Sequence, residues 1–298
     1  MLRRPARRTC LTQHSRNARG RFGDEESEEL YATANVRALF DEMSATYRLV
    51  NLVTSFGFSQ LWRSQAVRLL RPRRGSHVAD LMTGMGESFA ALARHLGPEG
   101  HVTAIDFSAA MLRHAESVRK KARGPAIDLV EADVFDYEPD QRFDFILCNF
   151  GIKTLAQYRA KQLAELVENW LSPAGSFVFL EISVPANRIL REPYMFYLKR
   201  IIPWLGRLFL GNPDNYRMLG LYTERFKDCG GLAATFRKQG FQIEERRLFF
   251  GCATAIRGCR SQSIRSSTGQ GGSEPVPANG GPDQTPGPDT PAGPERSR

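Results

Sequence analysis

Short apolar runs alternate with amphipathic stretches through the middle of the chain, a pattern that predicts strands separated by helices. His77–Leu81 is the first strand, followed by a glycine-rich turn and a helix running to about His95. His101–Asp106 is the second strand, and the helix after it spans Ser108–Lys121, with Ser108 placed to cap it. Ile127–Glu131 and Phe143–Phe150 are the next two strands, Leu155–Trp170 is a long helix, and Ser176–Ser183 is the fifth strand. A helix over Leu232–Gln239 leads into Phe241–Phe249 and Cys252–Arg257, which read as a closing hairpin around Gly251. An all-helical lead, from about Glu26 to Leu70, precedes the first strand. The alternation predicts an α/β fold: a parallel sheet covered by helices on both faces, with a final antiparallel pair added at an edge.

The periodicity fails at both ends. Residues 1–23 hold seven Arg and no acid, and residues 261–298 hold seven Pro, seven Gly and four apolar residues. Neither segment has the apolar surface to offset its ordering entropy, so both are expected to be disordered. One folded domain over residues 24–260 remains, a size that suits a single α/β unit. The net charge is +9, yet residues 24–259 carry 30 basic and 28 acidic side chains. The domain is nearly neutral, which argues against a nucleic-acid partner. No run approaches the ~18 apolar residues that a membrane span needs. The five cysteines are scattered without a C-x-x-C pair, so reduced thiols are expected, with neither a disulfide framework nor a metal site. The start has no apolar stretch of secretory type. Its Arg-rich, acid-free composition is also that of organellar transit peptides, but Pro5, Gly20 and the lack of an apolar face spoil an amphipathic helix. A cytoplasmic location is expected, or a mitochondrial one in a eukaryotic source.

The sharpest local feature runs from Val78 to Glu87, where a buried strand ends in Asp80-Leu81-Met82-Thr83 and turns through Gly84-Met85-Gly86 into a helix. Glycines at such a turn let the backbone approach a ligand closely, and the helix N-terminus adds an electropositive end. A dinucleotide fingerprint would place a third small residue at Phe89, so NAD and FAD are disfavoured. Twenty residues past Gly86, the second strand ends in Asp106, placed to accept hydrogen bonds from both hydroxyls of a ribose. The third strand ends Glu131-Ala-Asp133-Val134, offering a second carboxylate where an adenine amino group would be read, and the fourth ends Cys148-Asn149-Phe150-Gly151. These four strand ends converge on the carboxyl edge of the sheet, where open α/β folds bind ligands. Together they predict a nucleoside site.

With these residues in place, the chain resembles the class I S-adenosylmethionine-dependent methyltransferases, and more narrowly the ubiquinone/menaquinone biosynthesis C-methyltransferase family, from Val36 to Gly258. That family's Tyr-Asp-x-Met-Asn run leading to Ser and Trp is matched by Tyr47-Arg-Leu-Val-Asn51, Ser55 and Trp62. Its Lys-Pro-Gly-Gly run leading to Glu-x-Ser is matched by Ser172-Pro173-Ala174-Gly175 and Glu181-Ile182-Ser183. Phe150-Gly151-Ile152-Lys153-Thr154 stands for Phe-Gly-Leu-Arg-Asn, and Asp214-Asn215-Tyr216-Arg217-Met218-Leu219 for Asp-x-Tyr-x-x-Leu. This chain departs at Arg48 (Asp in the family), Ser59 (His), Met85 (Thr), Ser172 (Lys) and Lys153 (Arg). The resemblance implies a Rossmann-like, seven-stranded, mostly parallel sheet with an antiparallel last strand. It also implies S-adenosyl-L-methionine as cofactor, held by Asp80, Gly84, Met85, Gly86, Asp106, Asp133, Val134 and Asn149. Met85 lacks the Thr hydroxyl, so any contact there comes from its backbone N–H or from packing.

On the substrate side the resemblance implies a prenylated quinol precursor, met by Tyr47, Asn51, Phe150, Lys153 and Trp204. Methylating a ring carbon requires loss of a proton, but the five histidines sit in the tail, at the far strand edge or on flanking helices. The candidates left for catalysis are Glu181, Asp214 and Tyr216, beside Tyr47. Ile189–Gly211 interleaves aromatics with Arg191, Lys199, Arg200 and Arg207, which suits a lid or substrate wall (189–225) and a peripheral contact with membrane. Two rival functions stand beside this one: a methyltransferase of another hydrophobic small molecule or lipid, and a non-catalytic cofactor-binding scaffold in a biosynthetic complex. The oligomeric state is not legible.

Overall fold

A computed structural model describes residues 30–208 and 212–260, the side chains of residues 47–49 excepted. The expected disordered ends lie outside the described residues. Seven strands form one sheet: β1 (His77–Leu81), β2 (His101–Asp106), β3 (Ala126–Glu131), β4 (Phe143–Asn149), β5 (Leu171–Ile182), β6 (Phe241–Leu248) and β7 (Ala253–Arg260). Their order across the sheet is β3-β2-β1-β4-β5-β7-β6. Strands β1 to β5 pair in parallel, and β7 runs antiparallel to both β5 and β6. The closing pair does not simply append at the edge. The return strand β7 inserts between β5 and β6, leaving β6 outermost.

The first strands lie where the apolar runs predict them, because β1, β2 and β4 are almost wholly buried and carry mostly apolar side chains. The fifth strand starts earlier than its periodicity implies. Leu171 pairs with Phe143, and the ladder then shifts register to Ser176 opposite Phe145. Ser172-Pro173-Ala174-Gly175 thus forms an irregularity inside the strand, consistent with a proline that cannot donate to a ladder.

Helices cover both faces. Before the sheet come α1 (Thr33–Thr54) and α2 (Phe58–Leu70); between strands lie α3 (Phe89–Leu96), α4 (Ala109–Arg119) and α5 (Arg159–Trp170). The expected cap of α4 is present, with the Ser108 hydroxyl accepting from the Met111 N–H at 3.1 Å. After β5 come α6 (Arg188–Phe196), a π-helical turn over Tyr197–Ile201, α7 (Ile202–Leu208), α8 (Pro213–Phe226) and α9 (Gly230–Lys238). One core layer packs Trp62, Phe89, Leu92 and Leu180 on one face of the sheet, and another packs Leu163, Trp170, Phe177 and Phe236 on the other. A third cluster joins α1 to α8 through Val36, Met43, Tyr216 and Tyr222 over the carboxyl edge.

Phe89, which breaks the dinucleotide fingerprint, has a structural task. Its ring packs directly on Gly86, where an added Cβ would lie 2.4 Å from the ring, and Gly86 has φ +75°. A side chain there meets both a left-handed backbone and a filled space. Gly86→Ala should therefore lower unfolding free energy by ~2–4 kcal/mol, read by urea denaturation.

Candidate active site

At the carboxyl edge, the turn after β1, the end of β2 and the end of β4 surround one small cavity of about 40 Å³. Asp106 organises it. The carboxylate is buried and accepts from the Gly84 N–H at 2.8 Å and the Ser108 N–H at 2.9 Å. The glycine turn, β2 and the start of α4 therefore meet on one side chain. Burial pushes its carboxyl up to about 6 despite these donors. Two non-glycine residues at the edge, Met82 (φ 52°) and Phe150 (φ 68°), hold left-handed backbones, the kind of strain that clusters at binding sites. Gly151 permits the arrangement, since a Cβ there would lie 2.6 Å from the Met82 sulfur.

Asn149 also lines this cavity and donates from Nδ2 to the Ser88 hydroxyl at 3.0 Å. Its Oδ1 is buried with no hydrogen-bond partner among the described residues. Asp133 and Val134 line an adjoining cavity with Asp106, Phe107 and Arg159. The Asp133 carboxylate is engaged there by the Phe135 N–H (3.1 Å), the Thr33 hydroxyl (3.3 Å) and Arg159 (3.5 Å).

Three of the expected cofactor residues line neither cavity: Asp80, Met85 and Gly86, the last packed against the Phe89 ring. Asp80 is interior, accepting from the Thr83 hydroxyl at 2.6 Å, and burial pushes it up to about 7. Met85 is 3% exposed and packs inward, absent from the cavity lining. All three shape the turn. The residues that do line the cavity suit a nucleoside with a polar extension: a carboxylate for hydroxyls, a glycine turn, and an unspent amide oxygen.

Beside it opens a larger apolar cavity of about 370 Å³, and Phe150 lines both. Its wall is built from α1 and α2 (Asn51, Ser59, Trp62), the lid segment (Tyr194, Tyr197, Leu198, Ile202), α8 (Tyr216) and the β6–β7 corner (Phe249, Cys252). Lys153 is the one cation among its described lining residues, which include no carboxylate and no histidine. Its Nζ donates to Glu181 Oε1 at 2.8 Å and to the Phe150 carbonyl at 2.8 Å.

Three expectations for catalysis need correction. Glu181 is fully buried and does not line the cavity; both of its oxygens are occupied by Lys153 and the Ile182 N–H, so it positions Lys153. Asp214 lies exposed in the first turn of α8, paired with Arg217 at 2.7 Å, where its charge favours the helix start. Tyr216 does line the cavity, but its hydroxyl is hydrogen-bonded to Thr46 at 2.9 Å and burial raises its pKa, so it is a neutral phenol rather than a base. On the substrate side, Asn51, Phe150 and Lys153 converge on the cavity. Trp204 does not: it faces outward at 62% exposure, because the inward face of that segment is taken by Leu198 and Ile202. The side chain of Tyr47 lies outside the described residues.

Sequence reasoning missed Arg63, Glu87, Phe249 and Cys252, all of which line one cavity or the other. Arg63 adjoins the signature Trp62, a placement that would have singled it out. Nothing local marks Phe249, which a tertiary fold-back of the hairpin delivers.

Residues 27–260 match the ubiE/COQ5 methyltransferase family. The chain belongs to that family. It is 34% identical over 227 residues to a demethylmenaquinone methyltransferase of Clavibacter sepedonicus, covering 76% of this chain and 90% of that one. A demethylmenaquinone methyltransferase of Lactiplantibacillus plantarum is 31% identical over 229 residues, covering 76% and 96%. Among solved structures, a magnesium protoporphyrin IX methyltransferase from Synechocystis PCC 6803 with bound S-adenosylhomocysteine superposes with a TM-score of 0.53. It is 15% identical and covers 76% of this chain and 99% of that one. The chain is an S-adenosylmethionine-dependent methyltransferase with the class I fold.

The ionisation of Asp106 sets a pH dependence. Its folded pKa, about 6, lies above the ordinary 3.8, so the folded protein without cofactor holds a proton that the unfolded chain has released between those values. The group therefore favours folding as pH falls through that window, while the cavity loses an ionised hydrogen-bond acceptor. Cofactor affinity should drop about ten-fold from pH 7.5 to pH 5 in calorimetric titration. Asp106→Ala should cost about 1.5–3 kcal/mol of binding at pH 7.5 and flatten that decline.

Proposed function

We propose that this enzyme transfers the methyl group to a ring carbon of a prenylated hydroquinone of the demethylmenaquinol type. The observation that carries the reading is the apolar cavity abutting the nucleoside site at Phe150, with a single cation, Lys153, in its described wall. The names of the relatives point to the same substrate class. Bound S-adenosylmethionine supplies a sulfonium methyl that is already electrophilic, so the protein has to align, exclude water and raise the nucleophilicity of the ring.

Lys153 serves the last of these. An ammonium has three protons, and two are held by Glu181 and the Phe150 carbonyl, leaving one for a quinol oxygen. A cation there stabilises the phenolate form, which pushes electron density onto the neighbouring ring carbon. The methyl replaces the ring hydrogen: the C–C bond would form as the methyl–sulfur bond breaks to a neutral thioether, and the ring hydrogen then leaves as a proton, the one net proton of the reaction passing to water. Tyr216 and Asn51 offer neutral polar contacts to the ring substituents, and the lid aromatics Tyr194 and Tyr197 face the tail. Tyr194 and Tyr197 are themselves pinned, donating to the Cys252 and Thr54 carbonyls at 3.2 and 2.7 Å.

The rim also supports a membrane-facing approach. Phe56 and Phe250 are 79% and 82% exposed, and both hold left-handed backbones that present them outward near the cavity. No helix among the described residues is long and apolar enough to cross a membrane. Contact would be peripheral, with a lipid-borne substrate entering between these rings.

The deciding experiment incubates reduced, short-chain demethylmenaquinol with the protein and S-adenosylmethionine without oxygen, and identifies the product by mass spectrometry and NMR. A ring C-methyl product is expected; an O-methyl ether or no product would reject the reading in favour of another hydrophobic substrate or a non-catalytic scaffold. Lys153→Gln should lower kcat by about 10²-fold and Lys153→Arg by far less. Trp204→Ala should leave KM for a long-tailed substrate nearly unchanged, whereas Phe56→Ala with Phe250→Ala should release the protein from anionic liposomes.

A further inference from the structure

The corner between β6 and β7 holds a backbone that its side chains resist. Phe249, Phe250 and Gly251 all have positive φ, at 44°, 56° and 93°. Glycine takes such a conformation freely, whereas a bulky residue is strained in it, and strain of this kind collects at functional sites. What the corner fixes is the Phe249 ring. Its centre lies 4.7 Å from that of Phe58 and 6.5 Å from that of Trp62, and those two are 5.7 Å apart. All three rings line the apolar cavity, and Phe249 remains half-exposed although it packs on the other two. Trp62 precedes Arg63, whose guanidinium lies 4.7 Å from the centre of the Phe150 ring, so this aromatic wall borders the partition between the two cavities.

Four hydroxyls of the same cavity are already spent. Thr54 and Thr223 donate to the Val50 and Leu219 carbonyls at 2.7 and 2.9 Å, and Tyr194 and Tyr197 donate to the Cys252 and Thr54 carbonyls. Each hydroxyl has one proton, so none of the four has one left for a polar ring substituent. A flat apolar ring loses nothing there and gains aromatic contact, whereas an alkoxy-substituted ring gives up hydration without recompense. Three rings packed side by side also present a face wider than a single six-membered ring. We infer that Phe249, backed by Phe58 and Trp62, is the face on which a fused bicyclic ring lies, and that it sets a preference for naphthalene-type over alkoxybenzene-type acceptors. The strained corner holds that face in position before substrate binds, so binding does not bear the cost of ordering it. The inference rests on the reading of the apolar cavity as the acceptor site and adds to it the residue that selects the ring.

The test measures binding to the full chain by calorimetry in the presence of S-adenosylhomocysteine. Two redox-inert acceptors carry the same short prenyl tail, one on a 1-naphthol and the other on a 2-methoxyphenol. The unaltered protein should bind the naphthol at least about ten-fold more tightly. A fused bicycle is the more apolar ligand in any cavity, so the change of preference in a variant carries the inference. Phe249→Ala should weaken the naphthol about five- to ten-fold and leave the methoxyphenol within about two-fold. Equal losses for the two acceptors would overturn the inference and mark Phe249 as a packing support for Phe58 and Trp62 only. An unchanged naphthol affinity would overturn it as well. Binding of neither acceptor to the unaltered protein would reject the substrate reading itself, and the inference with it. Should Phe249→Ala fail to fold, Phe249→Leu carries the same comparison, since it keeps apolar bulk without a flat face: a loss of about three-fold or more confined to the naphthol upholds the role, and an equal loss rejects it.

Discussion

Glu181, at the end of β5, accepts from the Lys153 ammonium (2.8 Å), the Lys153 backbone N–H (3.0 Å) and the Ile182 N–H (2.8 Å), all out of water. Two buried charges bear a desolvation cost of several kcal/mol each, which well-packed apolar side chains would avoid. Their presence is accounted for by what they hold. Lys153 follows the strained Phe150–Gly151 turn and also donates to the Phe150 carbonyl, so the pair clamps the end of β4 to the end of β5. Phe150 is the wall shared by the two cavities, and its ring carries Arg63 on one side. Loosening the pair would therefore disturb the cavity at the glycine turn, the apolar cavity and the partition between them.

A comparable economy governs the other end of the site. Asp106 meets the glycine turn and the start of α4, and the cap residue Ser108 donates in turn to Asp41 on α1 at 2.5 Å. The N-terminal helices are thus tied to the sheet edge by polar contacts as well as by the Val36–Tyr222 cluster. These helices supply Asn51, Ser59, Trp62 and Arg63, so both cavities exist only when they are docked.

The sheet was legible in the sequence because buried parallel strands are written as continuous apolar runs, and Asp106 because an acid at such a strand end is spaced from the glycine turn. The irregular start of β5 was hidden by Pro173 and Gly175, which read locally as a turn. Side-chain roles were harder. Glu181 and Asp214 are the same kind of candidate in a sequence, yet one is sealed by three donors and the other is solvated beside Arg217. Trp204 and Tyr197 share an aromatic helical segment, and only the packing of Leu198 and Ile202 decides which faces the cavity. Arg63 was marked only by its place beside the signature Trp62, since its partners Glu87 and Phe150 come from distant parts of the chain.

The central claim is that Lys153 stabilises an ionised ring oxygen inside an apolar cavity. Burial alone raises the pKa of a phenol, whereas an adjacent cation lowers it, so the sign of the shift separates the two environments. A redox-inert prenylated 1-naphthol, bound to the protein with S-adenosylhomocysteine and titrated by ultraviolet absorbance, reads that sign directly. The account predicts a bound pKa at least about one unit below that of the free naphthol, lost in Lys153→Gln. A bound pKa equal to or above the free value would contradict it.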